Sequence, residues 1–138
     1  MGARTSGREA ALQMLYSLDG VEYDAAEVDR TILRYWREVP GDVEGREYAD
    51  ELVRGVAAAL HKLDERIRSA SRHWRIERMA RVDRNILRLG VHELAECPDV
   101  PRPVVIDEAV ELAKRYGAEG SSVFVNGVLD RIADDLGR

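Results

Sequence analysis

Arginine is the residue type whose spacing most suggests chemistry. Arg75, Arg78, Arg81, Arg84 and Arg88 recur through Trp74–Glu93, WRIERMARVDRNILRLGVHE, with only Glu77 and Asp83 among them. A guanidinium fork matches phosphate oxygens and base edges, so such a row can serve nucleic acid. The competing reading is a solvated charged face. A second set lies at the N-terminus, where Arg4 and Arg8 precede Gln13 and Tyr16. Arginine mixed with an aromatic ring suits single-stranded RNA, whose bases stack on rings while phosphates meet guanidinium groups. The alternative is an ordinary N-terminal arm with one half-buried tyrosine.

Catalytic chemistry finds no comparable support. Neither GxxxxGK[ST] nor GxGxxG occurs, so no phosphate-cradling loop is signalled. His92 and Glu96 stand four residues apart and share a helix face, but no further His or Cys lies at ligand spacing, which favours a surface histidine over a metal site. Cys97 has no identifiable base or orienting partner for a nucleophile. Asp107-Glu108 and Asp134-Asp135 fit helix ends and solvated positions better than an acid/base pair.

These residues need helices to position them. In the arginine-rich stretch Met79, Val82, Ile86 and Leu89, flanked by Leu87, Val91 and Leu94, form one broad apolar stripe, so the spacing predicts a helix from Trp74 that stops before Cys97-Pro98. Gly90 inside it suggests a close neighbouring backbone, because glycine there costs about 1 kcal/mol relative to alanine. A first helix is expected from Ser6, with Ser6 and Glu9 as a capping box and Ala11, Met14, Leu15 and Leu18 inward. Gln13 and Tyr16 fall away from that face. A second helix spans roughly Asp24 to Arg37, and a third roughly Val43 to His61, after the Pro40-Gly41 turn. Asp64 can cap a short fourth helix containing Ile67. Beyond Pro98, Pro101 and Pro103 a helix can start at Pro103. Ser121 or Ser122 can cap the last one, with Val125, Val128, Leu129, Ile132 and Leu136 buried and Phe124 and Asn126 on its flanks. No segment reads as a strand. The expected fold is all-α, about seven helices, in one domain over 1–138, with an N-terminal helical group at about 6–61 and a C-terminal group at about 64–136.

Composition agrees with a single core: 138 residues, 45% hydrophobic and 34% charged. The net charge of −5 argues against non-specific coating of nucleic acid, which needs many phosphate contacts, but leaves room for a local patch. No apolar run is long enough for a membrane span, and the N-terminus lacks a secretory pattern. One cysteine, Cys97, allows no intrachain disulfide and fits a reducing cytoplasm.

Three blocks are specific beyond their periodicity: REAALQMLY at Arg8–Tyr16, WRIERMARVDRNILRLGVHEL at Trp74–Leu94, and VPRPVVIDEAVELAKRYGAEGSSVFVNGVLDRIA at Val100–Ala133. Together they resemble the transcription antitermination factor NusB family. The resemblance implies an all-α fold of two packed helical bundles, and a cytoplasmic RNA-binding protein with neither catalysis nor a cofactor. It implies pairing with NusE, a small-subunit ribosomal protein, and binding of boxA-containing RNA within a complex that includes NusA, NusG and RNA polymerase. Such a complex suppresses termination, chiefly in ribosomal RNA operons. By position, the family's arginine-rich arm falls on Arg4 and Arg8, leading to Gln13 and Tyr16. Its NusE-facing surface includes Arg81, Asp83 and Arg84. The FVNG run puts Phe124 and Asn126 near RNA, with Phe124 open to two readings, a stacking ring or a core ring. Some members self-associate, so a homodimer stays open. The arm MGARTSGRE has two arginines where many relatives carry a dense run, and Gly120 is acidic in some relatives. Affinity is therefore expected to come mostly from the heterodimer. The alternative is a free-standing protein-interaction module of the same fold with weak or lost RNA binding.

Overall fold

The computed structural model describes residues 2–20 and 23–138. Among them are seven α-helices and one 3-10 turn, and no strand. They fall into two compact units, Met1–Ala58 and Ala59–Arg138.

The first unit holds α1 (Ala3–Leu18), α2 (Ala25–Glu38) and α3 (Val43–Ala58). Helix α1 packs chiefly on α3, and both α1 and α3 touch α2. Ala11, Leu12, Met14, Leu15 and Leu18 meet Val28 and Ile32, and Leu52, Val53 and Val56, in a core closed to water. The expected capping box is absent. Helix α1 starts at Ala3, with Gly2 at its cap and no side-chain cap bond, so Ser6 lies inside the helix. A box needs its serine at the boundary, and the helix extends one turn beyond it. Asp24 does cap α2, accepting from the Glu27 amide at 2.7 Å.

The second unit holds α4 (Leu60–Ala70), a 3-10 turn at Ile76–Arg78, α5 (Arg81–Glu96), α6 (Arg102–Tyr116) and α7 (Ser121–Asp135). Helix α5 packs against α4, α6 and α7. Ile86, Leu87, Leu89, Val91 and Leu94 of α5 are buried with Ile67, Val105, Val125, Leu129 and Ile132. Three expectations are corrected here. The helix expected from Trp74 begins only at Arg81, because Arg75, Met79 and Ala80 have extended backbone around the short turn. Ile76, Met79 and Val82 are three residues apart, a spacing that a 3-10 turn satisfies as well as an α-helix. The third helix ends at Ala58 rather than His61. Asp64 therefore lies within α4, not at a cap.

Gly90 also differs in detail. A Cβ there would come within 2.8 Å and 2.9 Å of the Leu129 methyl carbons, so a side chain rather than a backbone occupies the space. Neither serine caps α7. Gly120 does, in a left-handed conformation at φ 87°, and Ser121 is the first helical residue.

Candidate nucleic-acid interface

In the first unit the candidate residues sit on α1. A Cβ on Gly7 would lie 3.0 Å from the Gly45 carbonyl oxygen and 3.2 Å from Tyr48 Cβ, so glycine lets α1 and α3 approach closely. That approach brings Tyr48 beside the arm. The Arg4 guanidinium lies 5.0 Å from the Tyr48 ring centre and that of Arg8 5.4 Å. Both are within cation–π reach. The two arginines nevertheless differ. Arg4 is exposed, whereas Arg8 is only 3% exposed. Arg8 stands three and seven residues before Ala11 and Leu15 and so shares their inner face of α1, which buries it inside the arm. Gln13 and Tyr16 do face outward, with Tyr16 43% exposed. Gln13 Oε1 accepts from the Tyr35 hydroxyl at 2.7 Å. This face therefore offers a cation, an amide and a ring to a ligand.

In the second unit Arg81, Asp83 and Arg84 occupy the first turn of α5. Arg81 is exposed. Arg84 is half-buried and donates from Nη1 to the Ile76 carbonyl at 3.2 Å, tying the 3-10 turn to the helix start. Asp83 Oδ2 accepts from the Ser121 hydroxyl at 3.1 Å, and Ser121 Oγ accepts from the Ala118 amide at 3.0 Å. Asp83 thus fastens the start of α5 to the start of α7. Its other carboxylate oxygen is buried without a hydrogen-bond partner. Such an oxygen is costly to leave unmet and is an acceptor for an incoming donor.

Phe124 is half-buried on α7, with its ring edge-to-face against Trp74 at 6.2 Å between centres. Asn126 is exposed. Phe124, Trp74, Met79, Asp83 and Gly120 line one cleft of about 340 Å³. The structure therefore brings Phe124 and Asp83, assigned to different ligands from the sequence, to a shared hollow. Asn126 is not among its lining residues.

Arg88 departs most from the expected outer charged row. It is buried, and donates to both carboxylate oxygens of Asp64 at 2.8 Å and 2.9 Å and to Asn85 Oδ1 at 3.2 Å. Its position on the helix puts it among the packed helices, and burial of its charge is tolerated because Asp64 pairs with it. Sequence reasoning also missed Tyr48, which follows the apolar stripe of α3, and Trp74, assigned to a helix start. The available signal for Trp74 was a tryptophan flanked by arginines one residue after and two residues before it. Among the described residues no group of three or more His, Cys, Asp or Glu could hold a metal.

Residues 5–134 match the model of the NusB family. The chain is 64% identical over 138 residues to a transcription antitermination protein NusB of Sorangium cellulosum, covering 100% of this chain and 96% of that one. Among solved structures it resembles NusB of T. maritima with a TM-score of 0.83 and 35% identity, over 96% of this chain and 91% of that chain. It also resembles a chain in a crystal structure of antitermination factors NusB and NusE in complex with dsRNA. There the TM-score is 0.81 and the identity 29%, over 98% of each chain.

Proposed function

The chain belongs to the NusB family of transcription antitermination factors and is not an enzyme, and from that premise we propose that it pairs with NusE and binds boxA-containing RNA to suppress termination, chiefly in ribosomal RNA operons. It would act in the cytoplasm within an assembly that includes NusA, NusG and RNA polymerase. The observation that carries the reading is likeness over nearly the whole chain to a relative solved with both NusE and RNA. The candidate residues are compatible with it. Arg4, Gln13 and Tyr16 offer RNA a cation, an amide and a ring, with Arg8 supporting Tyr48 from the inner side. Phe124 and Asn126 supply a second aromatic and amide pair. Arg81, Asp83 and Arg84 form a mixed-charge turn suited to a protein partner, with one Asp83 oxygen still able to accept a hydrogen bond. No helix among the described residues is long and apolar enough to cross a membrane.

A second reading has one observation in its favour. Burial of Arg8 leaves Arg4 as the exposed arginine of the arm. A protein-interaction module with weak or lost RNA binding would need no more. Transcription in vitro separates the two. On a template carrying boxA upstream of a terminator, this chain with NusE, NusA, NusG and polymerase should raise read-through, and scrambling boxA should abolish the gain. Equal read-through on both templates would remove the boxA assignment.

A further inference from the structure

We propose that the turn joining α4 to α5 is an additional single-stranded RNA contact, taking phosphates on Arg72 and Arg75 and a base on Trp74. It rests on the RNA-binding reading above and extends the RNA path past Phe124. A cleft of about 610 Å³ lies along this turn, lined by Arg68, Arg72, Arg75 and Arg78 with Glu77 as the acidic residue. That balance runs against a chain of net charge −5.

The acid is already engaged. Glu77 Oε1 accepts from Arg68 at 3.2 Å, and Arg68 also reaches Glu65 at 2.8 Å. A hydrogen bond from its own backbone amide, and then Arg68, hold the Glu77 carboxyl below the usual carboxylate range. The side chains of Arg72, Arg75 and Arg78 are exposed and make no hydrogen bond or salt bridge with the described residues, while the Arg75 charge also helps to lower the Glu77 carboxyl. Their charge is available to an anion.

The platform beneath them is fixed. The Ser71 hydroxyl donates to the Ile67 carbonyl at 2.6 Å, the Trp74 amide donates to the Ser71 carbonyl at 3.0 Å, and Ile76 is buried. Trp74 is held out at 62% exposure, although burying such a ring is one of the larger apolar gains available to a fold. Its edge-to-face contact with Phe124 makes the two rings neighbours. The order guanidinium, ring, guanidinium at Arg72, Trp74 and Arg75 alternates as phosphate and base alternate along an unpaired strand. A duplex would keep its bases away from the ring. An acidic protein segment would use the arginines but has no equivalent need for the tryptophan.

The test uses the full chain with NusE. It compares a boxA RNA with the same RNA lengthened by about six unrelated nucleotides on its 5′ or its 3′ side, within the span that single-strand binding folds track. The unaltered protein should bind one lengthened RNA at least about fivefold more tightly than the short one. Trp74→Ala, and Arg72→Ala with Arg75→Ala, should lose that gain, and the double arginine variant should bind the short RNA as before. Trp74→Phe should keep part of it. For the double arginine variant the salt slope on the lengthened RNA should fall by about 1.4, at roughly 0.7 per phosphate. Thermal unfolding should be nearly unmoved, since all three side chains are exposed. No gain on lengthening, or an equal gain in the variants, would overturn the proposal. So would variants that lose NusE pairing but keep the gain, which would make the turn a protein surface. Failure of the unaltered pair to bind either RNA would instead remove the RNA-binding reading itself, and this contact with it.

Discussion

Arg88 and Asp64 show how one residue can be read correctly as charged and wrongly as exposed. The pair is bidentate and buried, so deleting one member leaves a charge without compensation. Arg88→Ala should lower unfolding free energy by about 3–5 kcal/mol in urea titration. A loss below about 1 kcal/mol would mean that Asp64 finds water or another donor. The arm divides in the same manner. Arg4→Ala should weaken RNA binding and cost no more than about 1 kcal/mol of stability, the scale of an exposed cation–π contact such as the one it makes with Tyr48. Arg8→Ala should lower the melting temperature as well, because it removes a buried side chain beside Tyr48. Equal melting temperatures would return Arg8 to the surface. His92 carries a pH dependence. Burial pushes its pKa below the ordinary 6.5, only partly opposed by Glu96 and Glu93. On acidification the unfolded chain takes up that proton first, so its contribution is complete above pH 6.5 and is lost as pH falls toward the depressed folded value. Between about pH 7.5 and 5.5 the melting temperature of His92→Gln should fall less than that of the unaltered chain. Parallel declines would exclude His92.

At the scale of elements, apolar periodicity was legible where helices bury a continuous stripe, and their ends were not. Ala11, Met14, Leu15 and Leu18 were assigned inward from spacing and are buried. The start of α1 was missed because Ser6 and Glu9 match a capping box equally well from inside a helix. The end of α3 carries no signature, since Ala57, Ala58 and Ala59 all favour helix. The turn before α5 hid behind a three-residue spacing common to both helix types. Gly90 was legible as a site of close approach, but not as one facing Leu129. Alanine there would gain about 1 kcal/mol of helix propensity yet press on a fully buried leucine, where overpacking costs about 1–3 kcal/mol. Gly90→Ala should therefore lower the melting temperature, whereas an increase would show that Leu129 has room to turn.

At the scale of the whole molecule, composition bounded the answer and motif resemblance supplied the function. The all-α class followed from helical spacing and the proline-marked connection before α6. RNA binding did not follow from charge, which is net −5. It depended on the blocks at Arg8–Tyr16, Trp74–Leu94 and Val100–Ala133 being met together. Spacing could not bring Asp83 and Phe124 to one cleft, because residues 41 positions apart meet only through the packing of α5 with α7. Whether the chain reads boxA together with NusE is decided by an anisotropy titration of boxA RNA against a scrambled RNA. It would use this chain alone and with NusE, at two salt concentrations. The account predicts preference for boxA, binding tightened several-fold by NusE, and a shallow salt slope for the chain alone, since each neutralised phosphate contributes about 0.7. NusE pairing without any preference for boxA would contradict it and leave a protein-interaction module.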